Sequence, residues 1–369
     1  MISPFLVIPI LLVFFMILGE FSKDIEKIFF PIIVLLLTLF LAFRYGQGTD
    51  FFGYKYLFEH CNTLYDAIWN PLNMHSEIGM RLLYSLFDNN YEAFNAFIAF
   101  LSMFFLFRSL KDFQFNRFFS LVIFYPTCYL TYFYSGVRQG LALAIFLGLM
   151  LNHLVNKKYK LYCLWGGVAS CFHSSALLLI ILPFFVNANL CNAKKMIMIS
   201  ISCGFLVFAL GVFNVLPAIQ KWKFFVSDVS ILSYVERTIS LFVVYTLSKN
   251  DVKKNDMFLT TLFNVYVLGS CVYYAFWCLG SISRVHIYFK SIECILIPYC
   301  IWKAKGSQYV LCCLISMMAI VMTVKNIGSY IKQGGYYPDV SVLNYPYVSI
   351  FDYPDKIFEY RARIGHANL

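Results

Sequence analysis

The sequence predicts an all-α polytopic membrane protein with about 11–12 transmembrane helices, and three observations carry that prediction. Of the 369 residues, 60% are hydrophobic and only 13% charged, whereas a water-soluble domain carries about 25% charged residues. Apolar runs of 16 to 25 residues recur along the whole chain, close to the roughly 20 residues a helix needs to cross the hydrocarbon layer. The runs are continuous and lack the alternation of an outer-membrane barrel strand. A soluble enzyme, a nucleic-acid binder and a disordered scaffold are excluded together.

The elements follow in order from the hydropathy. Spans are expected near 3–19, 28–43, 92–107, 118–134, 137–155, 160–186, 196–215, 236–248, 257–279, 285–302 and 308–325. The first run, from Ile2 to Gly19, has no basic region before it and no small-x-small cleavage pattern, so it reads as a retained span. One helix over 160–186 would be about 40 Å long. Its middle holds Cys171-Phe172-His173-Ser174-Ser175, so two short helices meeting at His173 are expected instead. The 12 cysteines form no CxxC pair and sit mostly within apolar runs, as small hydrophobes do.

Polar stretches at 44–91, at 216–235 and from 326 onward interrupt the series, and no internal repeat divides it. Residues 1–325 are therefore expected to form one membrane domain in which 44–91 is a large periplasmic loop with interfacial helices. The tail 326–369 is expected on the same side. With a hairpin at His173, the short loops 20–27, 108–117, 156–160, 187–195, 249–256 and 303–307 share one side and carry 15 basic and 6 acidic residues. The other side carries 14 basic and 13 acidic residues over a much longer stretch. The dense basic side is the cytoplasmic one by the positive-inside rule, and this topology accounts for the net charge of +10.

In this topology the unusual polar residues collect at the outer face. Three clusters open inward-running helices there: Ser135-Gly136-Val137-Arg138-Gln139-Gly140, His173-Ser174-Ser175, and Gly280-Ser281-Ile282-Ser283-Arg284. A cation in the first turn opposes the helix dipole, which suggests that an anion completes the site. Arg138, inside the apolar tract Val122–Met150, is costly to insert unless it has a function or an acidic partner. Arg138 and Arg284 both suit phosphate oxygens, because a guanidinium gives two parallel hydrogen bonds and stays charged. His173 reads as a general base, a phosphate ligand or a packed core histidine.

The segment Arg44-Tyr45-Gly46-Gln47-Gly48-Thr49-Asp50 leaves the second span through glycines and then turns aromatic up to Tyr54 and Tyr56. It matches neither GxGxxG nor GxxxxGK[ST], so it is no nucleotide loop. Asp50 reads equally as a base or as the cap of a helix from Phe51 to Cys61. The stretches around Tyr56–His60 and Glu77–Tyr84 alternate aromatic and polar groups at helical spacing, as interfacial helices do. No acidic cluster suits a divalent cation, so the chemistry is expected to be metal-independent and to use no cofactor.

The order of these pieces resembles the EpsG family of polysaccharide-synthesis membrane proteins, within the Wzy-type O-antigen and capsule polymerases. The resemblance rests on Arg44-Tyr45-Gly46, Gly48-Thr49-Asp50 and Tyr54, on Ser135-Gly136-Val137-Arg138-Gln139-Gly140, on Phe172-His173-Ser174-Ser175-Ala176, and on Arg284 ahead of Tyr288-Phe289. It implies a polytopic glycosyltransferase of the C class that joins undecaprenyl-pyrophosphate-linked oligosaccharide repeat units at the periplasmic face of a bacterial inner membrane, with membrane lipid and a chain-length regulator as partners. Arg44, Asp50, Arg138, Gln139, His173, Ser174 and Arg284 match the family pattern. A transfer with a lipid pyrophosphate leaving group needs cations for the departing charge, which the arginines would supply with Gln139, Ser174 and Tyr54 as further pyrophosphate or sugar contacts, and a catalytic base for the acceptor hydroxyl, for which His173 and Asp50 are the candidates. Two other classes share some of these features. A flippase for the lipid-linked oligosaccharide would use the same arginines, although the repeated halves of many transporters are absent. A membrane O-acyltransferase would use His173, but its acyl-CoA donor is cytoplasmic.

Overall fold

The structure is a computed structural model that describes residues 2–61, 63–69, 76–87, 89–186, 193–212, 231–252, 256–277, 282–304 and 309–361. It is an all-α polytopic membrane protein. Among the described residues the only β pairings are two isolated bridges, Arg44–Ser349 and Tyr336–Arg361. The helices are α1 Pro4–Phe21, α2 Lys23–Ala42, α3 Phe51–Glu59, α4 Leu64–Trp69, α5 Ile78–Tyr84, α6 Tyr91–Leu110, α7 Arg117–Phe124, α8 Val137–Ile145 and α9 Leu151–Val155. They continue with α10 Tyr159–Ser170, α11 Leu182–Val186, α12 Ala193–Val212, α13 Ile231–Val252, α14 Met257–Ala275, α15 Ile282–Ser291, α16 Glu293–Lys303 and α17 Tyr309–Gly334. Seven helices among the described residues are long and apolar enough to cross a membrane: Pro4–Phe21, Lys23–Ala42, Tyr91–Leu110, Val137–Val155, Met257–Ala275, Ile282–Lys303 and Tyr309–Gly334.

Contacts divide the chain into two compact units. The first takes Met1–Met150, Leu164–Ser174 and Gly306–Leu369, and the second takes Leu151–Cys163 and Ser175–Lys305.

In the first unit, α1 packs on α7, and α2 on α6. Local chemistry sets the helix starts. The Ser22 hydroxyl accepts from the Ile25 amide to cap α2, with Asp24 and Glu26 in its first turn, and the Asn90 side chain accepts from the Ala93 amide to cap α6. At that end of α2, Glu26 accepts from both the backbone amide and Nε of Arg117, each at 2.8 Å, which ties the α1–α2 turn to the start of α7.

The expected span 118–134 is not one α-helix. After α7 the chain widens into a π-helix over Tyr125–Ser135, with Pro126 in its first turn. Proline has no N–H to give, and a π-helix redirects its carbonyls. Two of these are taken up by side chains one turn apart on α17: Asn326 donates to the Pro126 carbonyl at 2.6 Å, and the Tyr330 hydroxyl donates to that of Leu130. The tyrosines of this segment reach outward in the same way. The hydroxyls of Tyr125 and Tyr129 donate to the carbonyls of Phe5 and Leu37 at 3.1 and 2.7 Å. A buried hydroxyl in an apolar layer needs such a partner. α17 also runs nine residues past the expected end at 325, because its buried face, Thr323, Ile327, Tyr330 and Gly334, keeps packing along this π segment.

Beyond α17, the tail folds back on the loop that follows α2. The Tyr45 amide donates to Val348 at 2.9 Å and the Ile350 amide to Phe43 at 2.8 Å. Gln47, fully buried, accepts from the Tyr134 hydroxyl and the Val348 amide and donates to the Pro346 carbonyl. Arg361 donates to the Gly334 and Gly46 carbonyls, each at 2.7 Å. Loop 43–48 is thus held by the tail.

The segment at 160–186, of which Leu164–Ser174 belongs to the first unit and the rest to the second, folds back as expected. The Tyr162 hydroxyl donates to the Leu179 carbonyl at 2.7 Å. In one continuous helix those residues would lie about 25 Å apart. The returning arm of this hairpin is a 3₁₀ helix, Ser174–Ile181, followed by α11. α14 packs against α12, α13 and α15.

Charges inside apolar runs join these helices. Lys290 of α15 pairs with Glu236 of α13, Tyr266 of α14 donates to Glu293 of α16 at 2.6 Å, and Arg237 donates to His286 Nδ1 at 3.2 Å and to the Tyr273 hydroxyl at 3.0 Å. The Lys290–Glu236 pair is only 5% and 10% exposed, so removing one charge leaves the other buried. Glu293 also faces Lys290, which keeps the cost of Glu236→Gln near ~3 kcal/mol. The expected result is a lower thermal midpoint in detergent for Glu236→Gln. Equal midpoints for wild type and Glu236→Gln would show that the pair carries no stability.

Candidate functional site

In the first unit three sequence-distant motifs meet. Loop 43–50 reaches the end of the π-helix, where the Thr49 amide donates to Ser135 Oγ at 2.9 Å and the two hydroxyls lie 2.6 Å apart. Gly48 permits this approach. Its φ is +87°, and a Cβ there would stand 3.1 Å from the Tyr134 carbonyl oxygen. Three residues past Ser135, in the first turn of α8, Arg138 forms an ion pair at 2.8 Å with Glu77. The other oxygen of that carboxylate accepts from the Ser174 amide at 3.1 Å. The start of α5 is fixed to the same turn by the Gly79 amide, which donates to the Cys171 carbonyl at 2.8 Å.

Tyr54 of α3 completes the cluster. Its ring lies 5.2 Å from the Arg138 guanidinium, which also hydrogen-bonds its hydroxyl. Burial and then the Asp50 carboxylate push the Tyr54 hydroxyl up to about 12 against the pull of Arg138. It therefore stays protonated at neutral pH and offers Arg138 no competing charge. Asp50 stands at the start of α3, but its side chain does not cap that helix. Its carboxylate instead accepts from the Thr49 hydroxyl at 3.0 Å.

The backbone amide of His173 donates to the Ala169 carbonyl at 3.0 Å and closes α10. His173 therefore sits immediately before the amide that Glu77 binds. Gln139 is 5% exposed on α8, and the glycine after it is a packing requirement: a Cβ on Gly140 would stand 2.5 Å from the Tyr132 carbonyl oxygen.

Arg44 is also drawn in, but differently. It is 2% exposed, donates to the Leu41 carbonyl at 3.1 Å and lies 4.9 Å from the Tyr134 ring. A guanidinium there satisfies a carbonyl at the end of α2 and complements the dipole.

Arg284 belongs to the second unit, on α15. One turn on, Tyr288 receives a hydrogen bond from Ser175 Oγ at 3.3 Å. Gly280 and Ser281, expected to open this helix, lie outside the described residues.

The sequence reading missed two residues of the first unit. Glu77 falls in a stretch that reads as an interfacial helix, and its partner lies 61 positions further on. The signal that could have found it is the cost of Arg138 in an apolar tract, which calls for an acidic partner or a ligand. Gln47, three residues before Asp50, is the anchor of the tail on the loop, and nothing in its spacing announces that.

A model of the EpsG family matches residues 27–349 of the chain. No curated protein matches it, and no solved structure does.

Proposed function

Because the chain belongs to the EpsG family, a Wzy-type polymerase family, we propose that it is a polysaccharide polymerase. It joins undecaprenyl-diphosphate-linked oligosaccharide repeat units at the periplasmic face of the bacterial inner membrane. The observation that carries this reading is the meeting of the 44–54, 135–140 and 173–174 segments around Arg138 in the first unit.

An acceptor hydroxyl attacks the anomeric carbon of the donor glycan, and the bond from that carbon to the diphosphate breaks. The hydroxyl proton passes to a general base, and the lipid diphosphate leaves with the electron pair. Charge grows on the departing diphosphate, so a fixed guanidinium there lowers the barrier. Arg138 takes that role, oriented by the Tyr54 ring and hydroxyl. Asp50 and His173 are the base candidates, and Ser174 and Gln139 are sugar or phosphate contacts. Arg284 is a separate basic contact of the second unit, and Arg44 supports the loop that carries Asp50. The same reading places loop 44–91 and the tail outside and the basic short loops in the cytoplasm.

Purified protein in liposomes, given the lipid-linked repeat unit without any nucleotide sugar, is expected to lengthen the glycan. Movement of the substrate across the bilayer without lengthening would identify a flippase instead.

A further inference from the structure

We propose that Glu77 is a displaceable counter-ion of the diphosphate site: its carboxylate occupies Arg138 between turnovers, yields to the lipid diphosphate, and returns to expel the product. The inference rests on the reading of Arg138 as the diphosphate contact.

The carboxylate presents two oxygens from one atom, as a phosphate does, and gives each to a different donor. One takes Arg138 Nη1 at 2.8 Å and the other takes the Ser174 amide at 3.1 Å. Those are the kinds of donor that bind phosphate oxygens elsewhere.

A permanent structural pair would look different, and the same chain supplies one for comparison. Lys290 and Glu236 are 5% and 10% exposed, whereas Arg138 and Glu77 are 21% and 19% exposed. The second pair is the more exposed, so exchange of its partner costs less than opening the first. Arg138 does not fall idle when Glu77 leaves, because Tyr54 still contacts its guanidinium. Glu77 is the N-cap of α5: its carbonyl accepts from the Met80 and Arg81 amides while its side chain caps nothing, so the carboxylate can turn away with the backbone held there and Gly79 still bound to Cys171.

The electrostatics force the exchange. A diphosphate at Arg138 beside an ionised Glu77 sets like charges together, so the anion binds only as the carboxylate leaves. After glycosyl transfer, the lipid diphosphate product occupies Arg138, and the tethered carboxylate competes for it without having to diffuse. Product release is then assisted by the protein itself.

Undecaprenyl diphosphate binding to purified protein in detergent tests this. Glu77→Gln keeps an oxygen for the Ser174 amide but loses the charge that competes at Arg138. Its Kd for the lipid diphosphate is expected to fall about tenfold, while multiple-turnover polymerisation slows through product inhibition and the first turnover does not. A Kd equal to or above that of wild type, in a variant with wild-type elution and thermal midpoint, overturns the inference. If Glu77→Gln does not fold, Glu77→Ala decides by the same measurement, since it also removes the charge that competes at Arg138 and should also bind the lipid diphosphate more tightly. Wild-type polymerisation with unchanged Kd in the variants defeats only this inference. Wild-type protein that neither binds undecaprenyl diphosphate nor polymerises defeats the proposed function, and this inference with it.

Discussion

Arg138→Lys is expected to lower polymer output by about a hundredfold or more while the protein still inserts and folds. Lysine keeps the charge and can still pair with Glu77, so the contact that ties α5 to α8 survives. It loses the two parallel donors that match phosphate geometry and the guanidinium that stands over the Tyr54 ring. Loss of one preorganised donor to developing negative charge costs roughly 10²–10³ in rate. Cells carrying the variant should show surface material with a single repeat unit, because donor synthesis and export lie upstream. Full-length polymer from Arg138→Lys and from Arg284→Lys would return both residues to a structural role.

The second large effect separates the two base candidates. Loss of a general base typically costs about 10²–10⁴ in rate, and the substitutions to compare are Asp50→Asn and His173→Ala, in the purified polymerisation assay. Asparagine can keep the acceptor oxygen that Thr49 uses, so Asp50→Asn removes charge and basicity with little change to the loop. A fall of this size in one variant alone, with donor binding retained, assigns the base to that residue. Near-normal rates in both would mean that another group activates the acceptor.

The apolar runs made the membrane helices legible, since a span of fixed length leaves its mark in composition alone. The fold-back at His173 was legible for a related reason. A histidine and two serines in the middle of an apolar run too long for one crossing demand a break, and the Tyr162–Leu179 hydrogen bond shows the chain returning. The motifs around Asp50, Arg138 and Ser174 were visible as unusual polar groups, but their meeting was not, because hydropathy orders residues along the membrane normal and not around it.

What stayed hidden depends on pairing across long sequence distances. The tail at 345–350 joins loop 43–48 by backbone hydrogen bonds, which leave no periodicity in the side chains. Gln47 is spent on that junction, a role no local pattern encodes. The π-helix at Tyr125–Ser135 is announced only by Pro126, which marks a break without specifying its kind. Glu236 and Lys290 look like costly charges in apolar tracts until each is seen to neutralise the other.

The chain is expected to form glycosidic bonds at the expense of a lipid diphosphate donor. The most direct measurement counts both products in liposomes that hold purified protein and a defined lipid-linked repeat unit, with EDTA present and nucleotide sugars absent. One undecaprenyl diphosphate is expected for each new glycosidic bond, with no release in Arg138→Lys protein above its residual rate of bond formation. Substrate that crosses the bilayer with no bond formed and no diphosphate released would contradict it.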